Sequence, residues 1–278
     1  MPFIAIIGAG PLGGSLAHKL AGRQRTGEIR LIDPEESVAR GKALDIYQSG
    51  PVEGFGTTLT AYATNHAAVG ADAIVMADAV SGAEHAGEAG LSIVRQLQAA
   101  GSSAPIVFAG VSQRELMMRS IVEIGVPSAR VVGSAPVALA STMRALSAVV
   151  LDASAVDISL NVVGVPPRDV VIAWQEASVS GQPLTSVMAP HDIAALSARV
   201  PSLWPPGPYA LASAAARVTE AVALGSRRQF SCFVDIGRGR IAAMPVELRR
   251  GGIRRIIEPS LTTQERTALD NAAHNAAR

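Results

Sequence analysis

The sequence predicts an α/β fold: a doubly wound parallel sheet followed by a mixed α+β second domain. Three observations predict it. Short apolar runs alternate with helical segments of 10 to 15 residues over the first 140 positions, the pattern of strands joined by crossover helices. The first apolar run ends in a glycine-rich turn. After about residue 140 the alternation gives way to paired strand runs and Ala-rich helices.

The elements follow in order. FIAIIG (3–8) is a short apolar strand, and LGGSLAHKLAGR (12–23) is helical. EIRLID (28–33) is the second strand, and SVARGKALDIYQSG (37–50) predicts a helix ending at Gly50. TLTAYAT (58–64) has the mixed polarity of an edge strand, whereas ADAIVMAD (71–78) is fully apolar. LSIVRQLQAAG (91–101) is an amphipathic helix closed by Gly101, because glycine adopts the left-handed conformation that ends helices. APIVFAGV (104–111), the helix SQRELMMRSIVEIG (112–125) and ARVVGS (129–134) complete the alternating half. The helix ALASTMRALSAVV (138–150) then leads into strands near 156–165 and 169–180. A Pro-rich patch, VPSLWPPGPY (200–209), is a rigid loop before the helix ALASAAARVTEAVALG (210–225). QFSCFVDIG (229–237) and IAAMPVELRR (241–250) read as antiparallel strands around the turn IGRGR. TTQERTALDNAAHNAA (262–277) is helical, with Thr262 and Glu265 at capping-box spacing. The expected division is a dinucleotide-binding domain, 1–140, and an α+β domain, 141–278.

Composition narrows the function classes. Hydrophobic residues make up 49% of the 278 positions and charged residues 17%, so the chain buries a core and is not disordered. A net charge of +1, without long runs of either sign, gives no nucleic-acid or membrane-surface footprint. No apolar run reaches the ~20 residues of a spanning helix, and MPFIAIIGAG enters a strand at once, leaving no room for a secretory signal. One cysteine, Cys232, excludes an internal disulfide, and five scattered histidines offer no metal-ligand pattern. A cytoplasmic location and no bound metal are expected.

The strongest motif is Gly8-Ala9-Gly10-Pro11-Leu12-Gly13. It closes a strand, opens a helix, and is followed by Asp33 at the end of the next strand, which is the context a Rossmann-type dinucleotide fingerprint requires. Gly8 permits the tight turn, Gly10 lets a pyrophosphate approach the backbone, and Gly13 lets the helix pack on the sheet. Pro11 and Leu12 begin the helix, whose N-terminus offers free N–H groups and partial positive charge to phosphates. Asp33 would bind ribose hydroxyls and repel a 2′-phosphate, favouring NAD over NADP. The competing reading is a glycine turn that merely packs a helix. Asp78, in ADAV, places a negative charge near the rim of this site and counts against tight NAD binding.

LIDPEESVARGKALDIYQSGP resembles the malate and lactate dehydrogenases, in which an acidic residue precedes a Gly-Lys-Ala-Leu-Asp helix. VSGQPL (179–184), PYALASAAARVTEAV and AAMPVELRRGGIRRIIEPSLTTQERTAL extend the resemblance over nearly the whole chain. It implies the fold, NAD, and a homodimer or homotetramer, with the helix carrying Val38, Leu44 and Ile46 as a contact surface or as ordinary core packing. That family carries the proton on a histidine, orients it with a carboxylate, and grips the substrate with arginines. Counted without a gap from VSGQPL, the histidine position falls on Pro166. The same register puts Leu139 at the orienting aspartate and Thr142 at the substrate arginine. Val111 stands for the asparagine on the nicotinamide side. The long basic lid is replaced by the shorter AVSGAEHAGEAGL, which has no arginine.

No catalytic residue is therefore assigned. Proline carries no titratable group, and a lost acid–base costs ~10²–10⁴ in rate. Threonine cannot form the bidentate pair that arginine makes with a carboxylate. Candidates for replacement chemistry each have a plainer reading. His85, beside Glu84 and near Glu88, is an acid–base or a solvated loop tip. Arg168-Asp169 is an anion site or an exposed turn. Arg144 is structural, Trp204 and Tyr209 pack or line a pocket, and Cys232 is a buried strand residue. His18, His66 and His191 suggest no role. The expected function is an NAD(H)-binding family member without malate or lactate dehydrogenase activity. The alternatives are an NAD-dependent oxidoreductase acting on another small substrate, and an active malate or lactate dehydrogenase if the ungapped register is wrong.

Overall fold

A computed structural model describes residues 1–275. The first half runs β1 (Phe3–Ile7), α1 (Pro11–Gly22), β2 (Glu28–Ile32), α2 (Glu36–Glu53), β3 (Thr58–Tyr62), β4 (Ala73–Met76), α3 (Gly87–Ala99), β5 (Ile106–Phe108), α4 (Arg114–Val122) and β6 (Val131–Gly133). The second runs α5 (Ala135–Leu151), β7 (Ile158–Ser159), β8 (Val162–Val165), β9 (Asp169–Ile172), β10 (Ser178–Val179), β11 (Gln182–Pro183), α6 (Leu184–Val187) and α7 (Pro190–Arg199). It closes with α8 (Pro208–Leu224), β12 (Gln229–Asp235), β13 (Ile241–Arg249), β14 (Gly252–Ile256) and α9 (Thr263–Asn275).

The sheet order β3-β2-β1-β4-β5-β6 is parallel throughout and matches the doubly wound expectation. The central strands β1 and β4 are buried on both faces, which is why they read as unbroken apolar runs. The mixed-polarity β3 lies at the edge, as its composition predicts. Beyond β6 the sheet continues with antiparallel neighbours, β12, β13, β8 and β9. The order reverses between β2-β1 and β4-β5, which opens a crevice at the carboxyl ends of β1 and β4.

Two local readings are corrected. The helix expected to stop at Gly50 continues to Glu53 with Pro51 inside it, and Gly54 at φ +81° closes it. Gly50 instead serves packing: a Cβ there would lie 2.7 Å from the Phe55 carbonyl oxygen. The strand expected over 169–180 breaks at a single turn, 174–176, where Trp174 buries its ring and donates its Nε1–H to Ser197 Oγ at 2.8 Å. The capping box forms as spaced: the Thr262 N–H donates to Glu265 Oε2 (2.7 Å) and the Glu265 N–H to Thr262 Oγ1 (3.2 Å). Ala276 and Ala277, expected in the same helix, lie outside the described residues.

Buried side chains form two clusters. The larger fills both faces of the parallel sheet around Ile4, Ile6, Leu31, Val75 and Phe108. The smaller gathers Leu139, Met143, Leu160, Val162, Trp174 and Leu184 in the second half.

Candidate functional site

The glycine turn sits at the mouth of the β1–β4 crevice, and packing demands each glycine. Gly8 has φ +106°, and a Cβ there would lie 2.3 Å from the Asp78 carbonyl oxygen. A Cβ on Gly13 would meet the Gly8 carbonyl oxygen at 2.0 Å, and one on Gly10 would meet Asp78 Cγ at 2.4 Å. Pro11 occupies the first helical position, where its missing N–H costs nothing. The tight turn expected at Gly8 and the helix packing expected at Gly13 are both present.

Its amides are already spoken for. The Gly10 N–H donates to the Asp78 carbonyl oxygen at 2.9 Å. The Leu12 and Gly13 N–H groups donate to Asp78 Oδ2 (3.0 Å) and Oδ1 (2.8 Å). The Ala9 N–H donates to Asp33 Oδ2 at 3.0 Å. Lys42 Nζ reaches the Ala9 carbonyl oxygen at 2.5 Å. Asp78, 5% exposed, thus caps α1 from across the crevice with a bidentate carboxylate. An anion at a helix N-terminus is well placed electrostatically, and this one is supplied by the chain itself.

Asp33, 2% exposed at the end of β2, is also engaged. Its Oδ1 accepts the Glu35 N–H, and its Oδ2 accepts the Val80 N–H as well as that of Ala9. Val80 belongs to the short segment 78–86 that follows β4. The segment folds inward. Ala79 and Ala83 are joined by a backbone hydrogen bond, and Asp78 bridges Glu84. The Glu84 carboxylate accepts the N–H groups of Val111 (2.8 Å) and Ser112 (2.9 Å) and the Ser112 hydroxyl (2.6 Å), just past β5. Gln113, buried, donates its Nε2 to the carbonyl oxygens of Ala77 and His85.

The loop-tip reading of Glu84 and His85 is therefore corrected: a segment this short folds inward over the crevice. His85 Nε2 is buried without a hydrogen-bond partner. Burial pushes the imidazole pKa below its ordinary value, opposed by the Asp33 and Asp78 carboxylates and the nearby Ile7 carbonyl.

The second corner of the site is apolar. Pro166 lies buried in the turn between β8 and β9. Leu139 on α5 is fully buried in the smaller cluster. The Thr142 hydroxyl donates back to the Ala138 carbonyl oxygen at 3.1 Å, satisfied within its own helix. Val111 is partly buried against the main core.

The remaining candidates are scattered. Trp204 packs edge-on against Phe233, with ring centroids 6.0 Å apart, while Tyr209 is 75% exposed. Burial pushes the Cys232 thiol pKa up, so it is inert at neutral pH. Arg144 is partly buried, and desolvation lowers its pKa. Arg168 is exposed, His18 contacts Glu53 at 2.9 Å, and His66 and His191 lie at the surface. On α2, Val38 and Leu44 are exposed while Ile46 is buried. Among the described residues no cluster of metal-ligating side chains occurs, and no helix is long and apolar enough to cross a membrane.

The backbone of this crevice fits a dinucleotide, and in this arrangement the Asp78 carboxylate accepts the Leu12 and Gly13 N–H groups that a pyrophosphate would take. The chain is 32% identical to a malate dehydrogenase of Thermomicrobium roseum, over 98% of its own length and 94% of the relative's. It is 28% identical to a malate dehydrogenase of Chlorobium phaeobacteroides, over 97% and 94%. Among solved structures it superposes on a minor L-lactate dehydrogenase of Enterococcus mundtii (TM-score 0.87, 20% identity, 99% and 96% covered). It also superposes on a malate dehydrogenase of Salinibacter ruber (TM-score 0.86, 24% identity, 99% and 95% covered). No family model matches the chain.

Proposed function

Since the chain belongs to the malate/lactate dehydrogenase family, we propose that it is an NAD(H)-binding member without malate or lactate dehydrogenase activity. NAD(H) is the family's cofactor; Gly8, Gly10, Pro11, Leu12 and Gly13 would face its pyrophosphate, and Asp33 its adenine-side ribose. When bound, NAD(H) supplies or accepts a hydride. The observation that carries the loss of activity is the apolar corner. Leu139 is fully buried among hydrocarbon side chains, Pro166 is buried at the histidine position, and Thr142 bonds its own helix. None of these three side chains carries an acid–base group to move a proton at neutral pH or a cation to pair with a substrate carboxylate. A dimer or tetramer through the exposed Val38 and Leu44 face of α2, and a cytoplasmic location, complete the proposal.

The alternative, an oxidoreductase on another small substrate with His85 as proton carrier, has weaker support. Its imidazole is buried between Asp33, Asp78 and Ile7, on the β1–β4 side of the crevice. The test is NADH fluorescence titration together with an oxidation and reduction screen. The screen covers oxaloacetate, pyruvate, small ketones and alcohols. Binding without turnover supports the first reading. Turnover abolished by His85→Ala supports the alternative, and ordinary rates with oxaloacetate or pyruvate overturn both.

A further inference from the structure

Every donor of the glycine turn has a partner from the chain itself. Gly8 N–H goes to Ile32, Ala9 to Asp33, and Gly10, Leu12 and Gly13 all go to Asp78; Pro11 has none to give. A pyrophosphate binds such a turn by accepting N–H groups at the helix N-terminus, here those of Leu12 and Gly13 that Asp78 holds. It would also have to sit against the Asp78 carboxylate, a like charge in a water-poor crevice. The contacts extend along the site. Val80 takes the carboxylate of Asp33, and Glu84 takes the amides past β5, beyond the switch point. Segment 78–86 therefore presents an acid at each of two amide clusters, joined by a backbone bridge between Asp78 and Glu84.

We propose that residues 78–86 are an intramolecular competitor of the dinucleotide, with Asp78 standing in for the pyrophosphate and Glu84 holding the segment's far end across β5. This rests on the dinucleotide-binding reading and adds its regulation. NAD(H) binds only the fraction of molecules in which the segment has left, so its apparent affinity is reduced by that fraction. His85 fits the same picture. Its unpartnered Nε2 is buried only while the segment is in place, a desolvation cost that the two carboxylate anchors offset and that expulsion would relieve.

The test compares NADH and ADP-ribose binding, by isothermal titration calorimetry, for the wild-type chain, Asp78→Ala and Glu84→Gln. Hydrogen exchange of the 79–86 amides is followed with and without ADP-ribose. Asp78→Ala should tighten both ligands tenfold or more. Glu84→Gln should tighten them less, since it loosens the anchor without freeing the turn. Saturating ADP-ribose should speed exchange at Val80 in the wild-type chain. Equal affinities in all three proteins, with exchange over 79–86 unchanged on binding, would overturn the competitor role and leave dinucleotide binding standing. If none of the three, all folded by circular dichroism, binds either ligand, the dinucleotide reading itself fails and the competitor role falls with it.

Discussion

The two halves of the site are furnished in opposite ways. At the β1–β4 crevice the backbone machinery survives intact, and charged side chains have entered it. At the corner formed by α5 and the β8–β9 turn, Leu139 and Pro166 are buried and the Thr142 hydroxyl is bonded within its own helix; in the proposed reading these three stand where the family carries charged and protic groups. The difference lies in what each region does for the fold. A Cβ on Gly8 would collide with the Asp78 backbone and one on Gly13 with the Gly8 carbonyl oxygen, whether or not a dinucleotide ever arrives. A proton carrier has no such duty. Hydrocarbon can replace it and gain the burial free energy of about 25 cal/mol per Å². Packing alone is thus a reason to keep a glycine fingerprint, and it is no reason to keep a catalytic side chain.

The largest effect should come from reversing the apolar corner. Leu139→Asp places an unpaired carboxylate in the smaller cluster and is expected to cost about 3–5 kcal/mol of unfolding free energy, read by urea denaturation. A loss under about 1 kcal/mol would mean the corner admits water and polar groups, and the contrast would blunt. Next, Gly13→Ala forces a Cβ onto the Gly8 carbonyl oxygen, and a loss of about 1–3 kcal/mol without any ligand is expected. No loss would show that packing does not hold this glycine, sharpening the case for selection by cofactor. Thr262→Ala, remote from both regions, removes the Glu265 cap and should cost about 1 kcal/mol with no change in NADH affinity.

The smallest expected effect is a pH slope. The folded-state pKa of His85 is lowered, first by burial, from an ordinary 6.5. The facing charges are Asp33 at the end of β2 and Asp78 at the end of β4, which resist the shift without cancelling it. Below 6.5 the unfolded chain takes up a proton that the folded one refuses. The neutral imidazole therefore costs no stability above that pH, and stability falls as pH drops toward the lowered folded value. His85→Gln should flatten that part of the stability profile, measured by thermal melts in matched buffers.

The parallel sheet and most helix ends were legible because period, glycine and proline placement are local signals; the strand order was not read from the sequence. The helix past Gly50 and the broken strand at Trp174 were not, since tertiary packing of Phe55 and of the indole decided them. Asp78 was visible as a charge near the rim. Its bidentate grip on Leu12 and Gly13 was hidden, because it joins residues 66 and 65 positions apart. Glu84 and His85 carried the surface signature of a polar loop. Only the fold brings that loop inward, onto amides past β5.

The most direct measurement is oxaloacetate and pyruvate reduction by the Asp78→Ala protein under saturating NADH, with cofactor occupancy followed in the same cuvette. Opening the turn should admit the cofactor while no reduction rises above the enzyme-free rate. Turnover in that protein at the pace of an ordinary dehydrogenase would contradict a preserved scaffold stripped of its chemistry.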